Sequence, residues 1–119
     1  MTNSPAQVVA NLEVLCRQLV ESERKLQKAA NMRIECIGQL GVKEMEFYQS
    51  VAEQWAAGDL TPTKRDSMLR EFKTKEKTRL EISEVRYAQA KIAWETQRDR
   101  LNNYKAILRV REEELKTNS

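Results

Sequence analysis

Six large side chains recur at seven-residue intervals in the second half of the chain, and this feature restricts the fold most. The row consists of Leu80, Tyr87, Trp94, Leu101, Leu108 and Leu115. Because a seven-residue repeat returns to the same face of an α-helix after two turns, the row predicts one long helix with an apolar edge. The first half carries a similar row, Leu12, Leu19, Leu26, Leu40 and Phe47, which only Arg33 interrupts. Smaller residues follow three positions later, at Leu15, Ser22, Ala29 and Cys36.

The segment QWAAGDLTPT, residues 54–63, predicts a turn between these two helices. Gly58 is typical of the position just beyond a helix end, and Thr61–Pro62 is a helix start signal. Ser4–Pro5 gives the same signal near the N-terminus. The sequence therefore predicts a helix over 5–57, a turn over 58–61 and a helix over 62–116, in a single domain 1–119.

The two apolar rows come into register when the chain folds back at Leu60. The facing pairs are then Leu12 with Leu108, Leu19 with Leu101, Leu26 with Trp94, Arg33 with Tyr87, and Leu40 with Leu80. The predicted fold is all-α, a long antiparallel two-helix coiled-coil hairpin. Apolar residues off these rows, such as Ile34, Ile82 and Ile92, predict a further partner. That partner is either a second copy, giving a homodimer and a four-helix bundle, or a different protein.

Two glycines, Gly38 and Gly41, lie within the first predicted helix. Each destabilises a helix by about 1 kcal/mol relative to alanine. Leu40 and Phe47 nevertheless continue the row that Leu12 begins, so we expect the helix to run through both glycines. They are then interpreted as a kink or as a close contact between helices.

Composition indicates a cytoplasmic protein without catalytic machinery. Charged residues make up 33% of the 119 residues, and histidine is absent. No apolar run is long enough to span a membrane, and MTNSPAQVV lacks the features of a signal peptide. Cys16 and Cys36 would lie about 30 Å apart on one helix, too far for a disulfide, which fits a reducing compartment. No catalytic, phosphate-binding or zinc-binding motif is present, so no enzyme activity, metal, cofactor, small molecule or membrane contact is expected.

Two candidate sites lie near the turn. The first is a cluster of apolar side chains that forms either a packed end of the hairpin or a surface for a protein partner. Its members are Phe47, Tyr48, Trp55, Met68 and Phe72. The second is the stretch 64–79, which is either a solvated face or a nucleic-acid site. Its candidate phosphate-contacting residues are Lys64, Arg65, Arg70, Lys73 and Lys77.

The order of segments resembles small helical proteins encoded by phages and prophages. The resemblance rests on NLEVLCRQLVESERKLQKAA, then EMEFYQSVAEQW, a short turn, and VRYAQAKIAWETQRDRLNNYKAIL. It implies a small accessory or inhibitor protein that binds a host or phage protein in the host cytoplasm. The stretch RDRLNNYKAILRVREEEL is similar to the stalk proteins of flagellar and type III export, which are antiparallel coiled coils. That likeness implies the alternative role of regulating a secretion ATPase.

Overall fold

The computed structural model describes residues 4–117 and is all-α in this range. Helix α1 comprises Pro5–Ala56, α2 comprises Pro62–Phe72 and α3 comprises Thr74–Thr117. The long helices α1 and α3 pack antiparallel, which confirms the predicted helical hairpin. No stretch of helix between residues 4 and 117 combines the length and apolar character that a bilayer span requires.

Helix α1 begins at the residue that the sequence predicts, because Ser4 caps it. The Ser4 hydroxyl oxygen accepts a hydrogen bond from the Gln7 backbone N–H at 3.2 Å. The Gln7 side-chain oxygen in turn accepts one from the Ser4 backbone N–H at 3.0 Å. This reciprocal pair is a capping box, and it satisfies two donors that the first turn leaves open.

Helix α1 ends at Ala56, and Gly58 just beyond it has a φ of 75°, which lies in the left-handed region. The Gly58 N–H donates to the Trp55 carbonyl at 3.1 Å, and the Asp59 N–H donates to the Gln54 carbonyl at 3.0 Å. These two bonds form a Schellman motif, which favours glycine because a side chain would be strained at this φ. The chain then enters α2 at Pro62, where the Thr61 hydroxyl accepts from the Lys64 N–H at 3.2 Å.

The predicted helix over 62–116 is divided at Lys73 in the structure. Lys73 has φ −102° and ψ 6°, and α3 starts at Thr74. The Thr74 hydroxyl donates to the Arg70 carbonyl at 2.7 Å. Thr96 makes the same kind of bond to the Ile92 carbonyl at 2.9 Å within the continuous α3, so this bond alone does not account for the break. The row of large side chains begins only at Leu80, and the positions seven and fourteen residues earlier are Lys73 and Asp66, so the apolar pattern carries no information about this break.

Helix α1 continues without interruption through Gly38 and Gly41, as predicted. A methyl group added at either glycine would meet no heavy atom within 4 Å. The interpretation of these glycines as a close contact between helices of this chain is therefore wrong. The chain does not need glycine at either position for its own packing.

Tertiary contacts divide the described chain into two units. The first contains residues 4–28 and 88–117. In it, Asn11 Nδ2 donates to Tyr104 Oη at 3.2 Å, and Trp94 Nε1 donates to Glu23 Oε1 at 3.3 Å. Because the earlier α1 residue meets the later α3 residue, the helices of this unit are antiparallel. Leu101 is its buried apolar residue, with 6% of its surface exposed.

The second unit contains residues 29–87. Its helices are also antiparallel, since Glu44 Oε1 lies 2.9 Å from Lys73 Nζ and the Arg65 guanidinium lies over the Trp55 ring at 4.4 Å. The Arg33 guanidinium lies 5.4 Å from the centre of the Tyr87 ring. This is one of the facing pairs that the sequence predicts, and it confirms the register in this unit. The single-domain interpretation of 1–119 stays a prediction.

Half of the packed edge of α3 was not identified from the sequence. Besides the predicted row, a second row is less exposed than its surroundings and consists of Glu76, Ser83, Ala90, Gln97, Tyr104 and Arg111. Most of these side chains are polar, so an apolar pattern does not reveal them. Ser83 is buried, and its hydroxyl donates to the Leu80 carbonyl at 2.7 Å, which satisfies it locally.

Replacing Arg33 by leucine should raise stability. Arg33 is half-buried on the packed edge of α1, where it stacks on Tyr87. Such a contact contributes about 0.5–1 kcal/mol, whereas a well-buried leucine contributes about 1.5–3 kcal/mol. We expect Arg33→Leu to raise the free energy of unfolding by about 1 kcal/mol in urea titration. A loss of stability would show that the stacked arginine outweighs the apolar gain.

Candidate functional site

The apolar cluster near the turn is partly core and partly surface. Phe47 is only 2% exposed and packs with Val51 and Leu60, while Met68 and Leu69 lie against them. The Phe72 ring centre lies 5.6 Å from that of Phe47. Phe47 is therefore a packing residue and is not accessible to a partner, which corrects its assignment as a candidate partner-binding residue. Met68 belongs to the same packed group and is half-buried.

The other three residues of the predicted cluster are exposed. Tyr48 touches Phe47 edge-on at a centroid distance of 5.7 Å and is still 47% exposed. Trp55 is covered on one face by Arg65, and Phe72 lies 5.0 Å from the Lys43 ammonium. A cation over an aromatic face is favourable and leaves the other face accessible. Tyr48, Trp55 and Phe72 therefore stay candidate partner-binding residues.

The basic stretch 64–79 is partly engaged within the chain. Arg65 lies 3.5 Å from Asp66 and stacks on Trp55, and Lys73 pairs with Glu44. The other three candidate phosphate-contacting residues, Lys64, Arg70 and Lys77, are exposed. Since two of the five cations are held by internal partners, less of their charge is directed outward than the sequence suggests.

A second regular row of residues runs along α1 beside the packed one and is not among the predicted rows. We call it the outer row; it consists of Ile34, Gly38, Gly41, Met45, Tyr48, Ala52 and Trp55. All seven residues are exposed. They alternate at spacings of four and three residues, which is the spacing of a helix–helix seam. The spacing is present in the sequence, but three of the seven residues are glycine or alanine, so a search for large apolar side chains does not reveal the row.

An open groove of about 500 Å³ borders the outer row within the second unit. Its lining includes Gly38 and Val42 from α1, and Glu76 and Arg79 from α3. Charged groups of both signs surround a small apolar floor, which does not select one ligand chemistry. Among residues 4–117 no three His, Cys, Asp or Glu side chains are grouped closely enough to hold a metal ion.

Comparison with protein-family models, with curated proteins and with solved structures finds no match to this chain.

Proposed function

We propose that this chain is a non-catalytic, protein-binding helical hairpin, a small accessory or inhibitor protein of the phage or prophage type that acts through protein contacts. The observation that supports this is the balance between core and surface in residues 4–117. Only four apolar side chains are buried there: Phe47, Val51, Leu60 and Leu101. Many others are at least half exposed, including Ile34, Met45, Val85, Ile92 and Val110.

This balance favours a partner for an energetic reason. Burying apolar surface yields about 25 cal/mol per Å², and each unpartnered side chain forgoes that gain. Single exposed apolar residues are ordinary on protein surfaces, whereas a regular row of them is typical of an interaction site. The outer row of α1 is such a row and includes Tyr48 and Trp55, and the exposed Phe72 of α2 adds to the available apolar surface.

The phage class is supported by the order of segments alone. A leucine-rich first arm, an aromatic segment, a short turn and a final arm with spaced aromatics occur here in the order that the resemblance describes. This layout carries no residue-specific role, so the proposal assigns the contacts and not a target. A homodimer is part of the proposal, and the same exposed residues supply its interface.

The proposal is tested by measuring the mass of the purified chain and of its complexes. We expect light scattering on the isolated chain to give twice 13.9 kDa or more. We also expect affinity-tagged chain expressed in its native host to co-purify with a protein in a fixed ratio. A chain that stays at 13.9 kDa at high concentration and retains no protein from the host would overturn the proposed function.

A further inference from the structure

The outer row has the geometry of a seam that lacks its second helix. Its large members are strongly exposed, with 67% of Ile34 and 64% of Met45 accessible. Five of the seven outer-row residues directly follow a buried or half-buried residue of α1, as Gly41 follows Leu40 and Tyr48 follows Phe47. One residue corresponds to about 100° around a helix. A second helix can therefore lie along the outer row without displacing the helices that cover Phe47.

We propose that a second copy of this chain covers the outer row, with the two α1 helices antiparallel and a two-fold axis beside residue 43. This inference rests on the proposed function and names its partner and surface. In an antiparallel helix pair, a row residue that is followed by a step of four faces a row residue that is followed by a step of three. The facing pairs are Ile34 with Ala52, Gly38 with Tyr48, and Gly41 with Met45, each occurring twice.

Side-chain size selects this register. Every large side chain of the central seam faces a glycine or an alanine in the other copy, so the two rows interdigitate. Moving the helices by one heptad in one direction places Gly38 opposite Gly41 and leaves a gap. Moving them in the other direction places Met45 opposite Tyr48, where two large side chains compete for one space. The register also explains why glycines occur where nothing in their own chain requires them.

The charges beside the row are compatible with this pairing. In an antiparallel pair, residues on one flank meet residues on the same flank of the other copy. Glu35 then faces Gln49, and Val42 faces Val42 of the other copy. On the opposite flank, the Glu44 side chains of the two copies approach each other. Each Glu44 is neutralised by Lys73 of its own chain at 2.9 Å. On neither flank, therefore, do two carboxylates without a counter-charge face each other.

The length of the row sets the expected affinity. Residues 34 to 55 extend over about 32 Å of helix. A contact between two helices of this length is at the low end of specific interface sizes. We therefore expect a dimer whose Kd lies between about 1 and 100 µM.

A charge introduced in the row should dissociate the dimer. We would compare the wild-type chain with Met45→Glu and with the matched control Met32→Glu by sedimentation equilibrium, from about 1 to 300 µM, which brackets that Kd. Met32 is exposed on α1 but lies outside the outer row. Met45→Glu should raise Kd at least about 100-fold because two carboxylates would lie near the axis without partners. Met32→Glu should leave Kd within about threefold, as surface changes do.

The glycines give a test in which the stability of the monomer rises while the affinity of the dimer falls. The double variant Gly38→Ala, Gly41→Ala should raise the melting temperature of the monomer by about 5 °C or more, because alanine favours helix and the added methyl groups meet no neighbour. The same variant should raise Kd about tenfold or more, because the methyl groups occupy the space of Tyr48 and Met45 in the other copy. A purely structural role for these positions would leave Kd unchanged.

Spin labels test the antiparallel register. Labels would be attached to Glu46→Cys or Glu53→Cys in a chain carrying Cys16→Ser and Cys36→Ala. About the proposed axis, equivalent positions 46 lie about 9 Å apart along the helices and equivalent positions 53 about 30 Å apart. Dipolar spectroscopy should therefore give a clearly longer distance at position 53. Equal distances at both positions would indicate a parallel pair and overturn the proposal.

The remaining outcomes separate this inference from the proposed function. A wild-type dimer that Met45→Glu leaves intact would overturn the outer row as its interface and leave the protein-binding role standing. A wild-type monomer that co-purifies with a different protein would overturn the proposal that a second copy is the partner. It would support the protein-binding role. A monomer without any partner would overturn both.

Discussion

Phe47→Ala should lower the free energy of unfolding by about 3–5 kcal/mol, the loss expected for a fully buried phenylalanine. Phe47 is the most buried large side chain among the described residues, at 2% exposure. Val51 and Leu60 pack with it, and the Phe72 ring lies 5.6 Å away. Removing the ring leaves a cavity between α1, α2 and the turn. Because the second unit has few other buried residues, we expect little local repacking to offset the loss.

The measurement is urea unfolding followed by helical circular dichroism, at a protein concentration low enough to avoid a contribution from association. Tyr48→Ala is the matched control, since it removes the neighbouring aromatic ring, which is 47% exposed. It should lower the free energy of unfolding by less than about 1 kcal/mol. Equal losses for the two variants would show that Phe47 is not the centre of the packing around the turn.

Leu101→Ala should lower the free energy of unfolding by about 2–4 kcal/mol, while Leu115→Ala should change it by less than about 0.5 kcal/mol. The two leucines belong to the same seven-residue row, and the pattern gives no reason to distinguish them. In the structure Leu101 is 6% exposed and Leu115 is 73% exposed. The predicted register places Leu115 opposite Pro5, where α1 begins, so no earlier turn of α1 is present to cover it.

Because both variants replace leucine by alanine, Leu115→Ala is the matched control for Leu101→Ala. Urea unfolding of both variants, compared with the wild type under identical conditions, gives the two differences directly. A similar loss at both positions would indicate that the end of α3 is covered in solution. That result would require a contact at Leu115 that the described chain does not contain.

Much of the hairpin could be predicted from local signals. Ser4, Gly58 and Thr61 mark helix ends because their side chains or their backbone freedom satisfy groups that a helix leaves open. The spacing of leucines set the register, and Arg33 lies on Tyr87 as it requires. The break at Lys73 could not be predicted in the same way. The row of large side chains in α3 begins only at Leu80, so no apolar spacing reports on residue 73.

The candidate site was predicted less well than the fold. Composition identified an aromatic cluster near the turn, but it could not separate Phe47, which is buried, from Tyr48, which is its exposed neighbour. Similarly, counting cations gave five candidate phosphate contacts, although Arg65 and Lys73 have acidic partners. Whether a side chain is available to a ligand depends on what lies across from it. Residues 44 and 73 are distant in sequence and only the packed chain brings them together.

Local signals in the sequence specify the long helices, their ends around the turn and the apolar row on each. Those properties follow from hydrogen bonding within a few residues and from a repeat that matches the helix period. The packed chain was needed to show which members of each row are buried, that Gly38 and Gly41 face open space, and that the outer row of α1 is exposed. The physical reason is that burial is a property of two surfaces at once. A one-dimensional pattern specifies one surface, whereas its coverage depends on where the other helix starts, bends and ends.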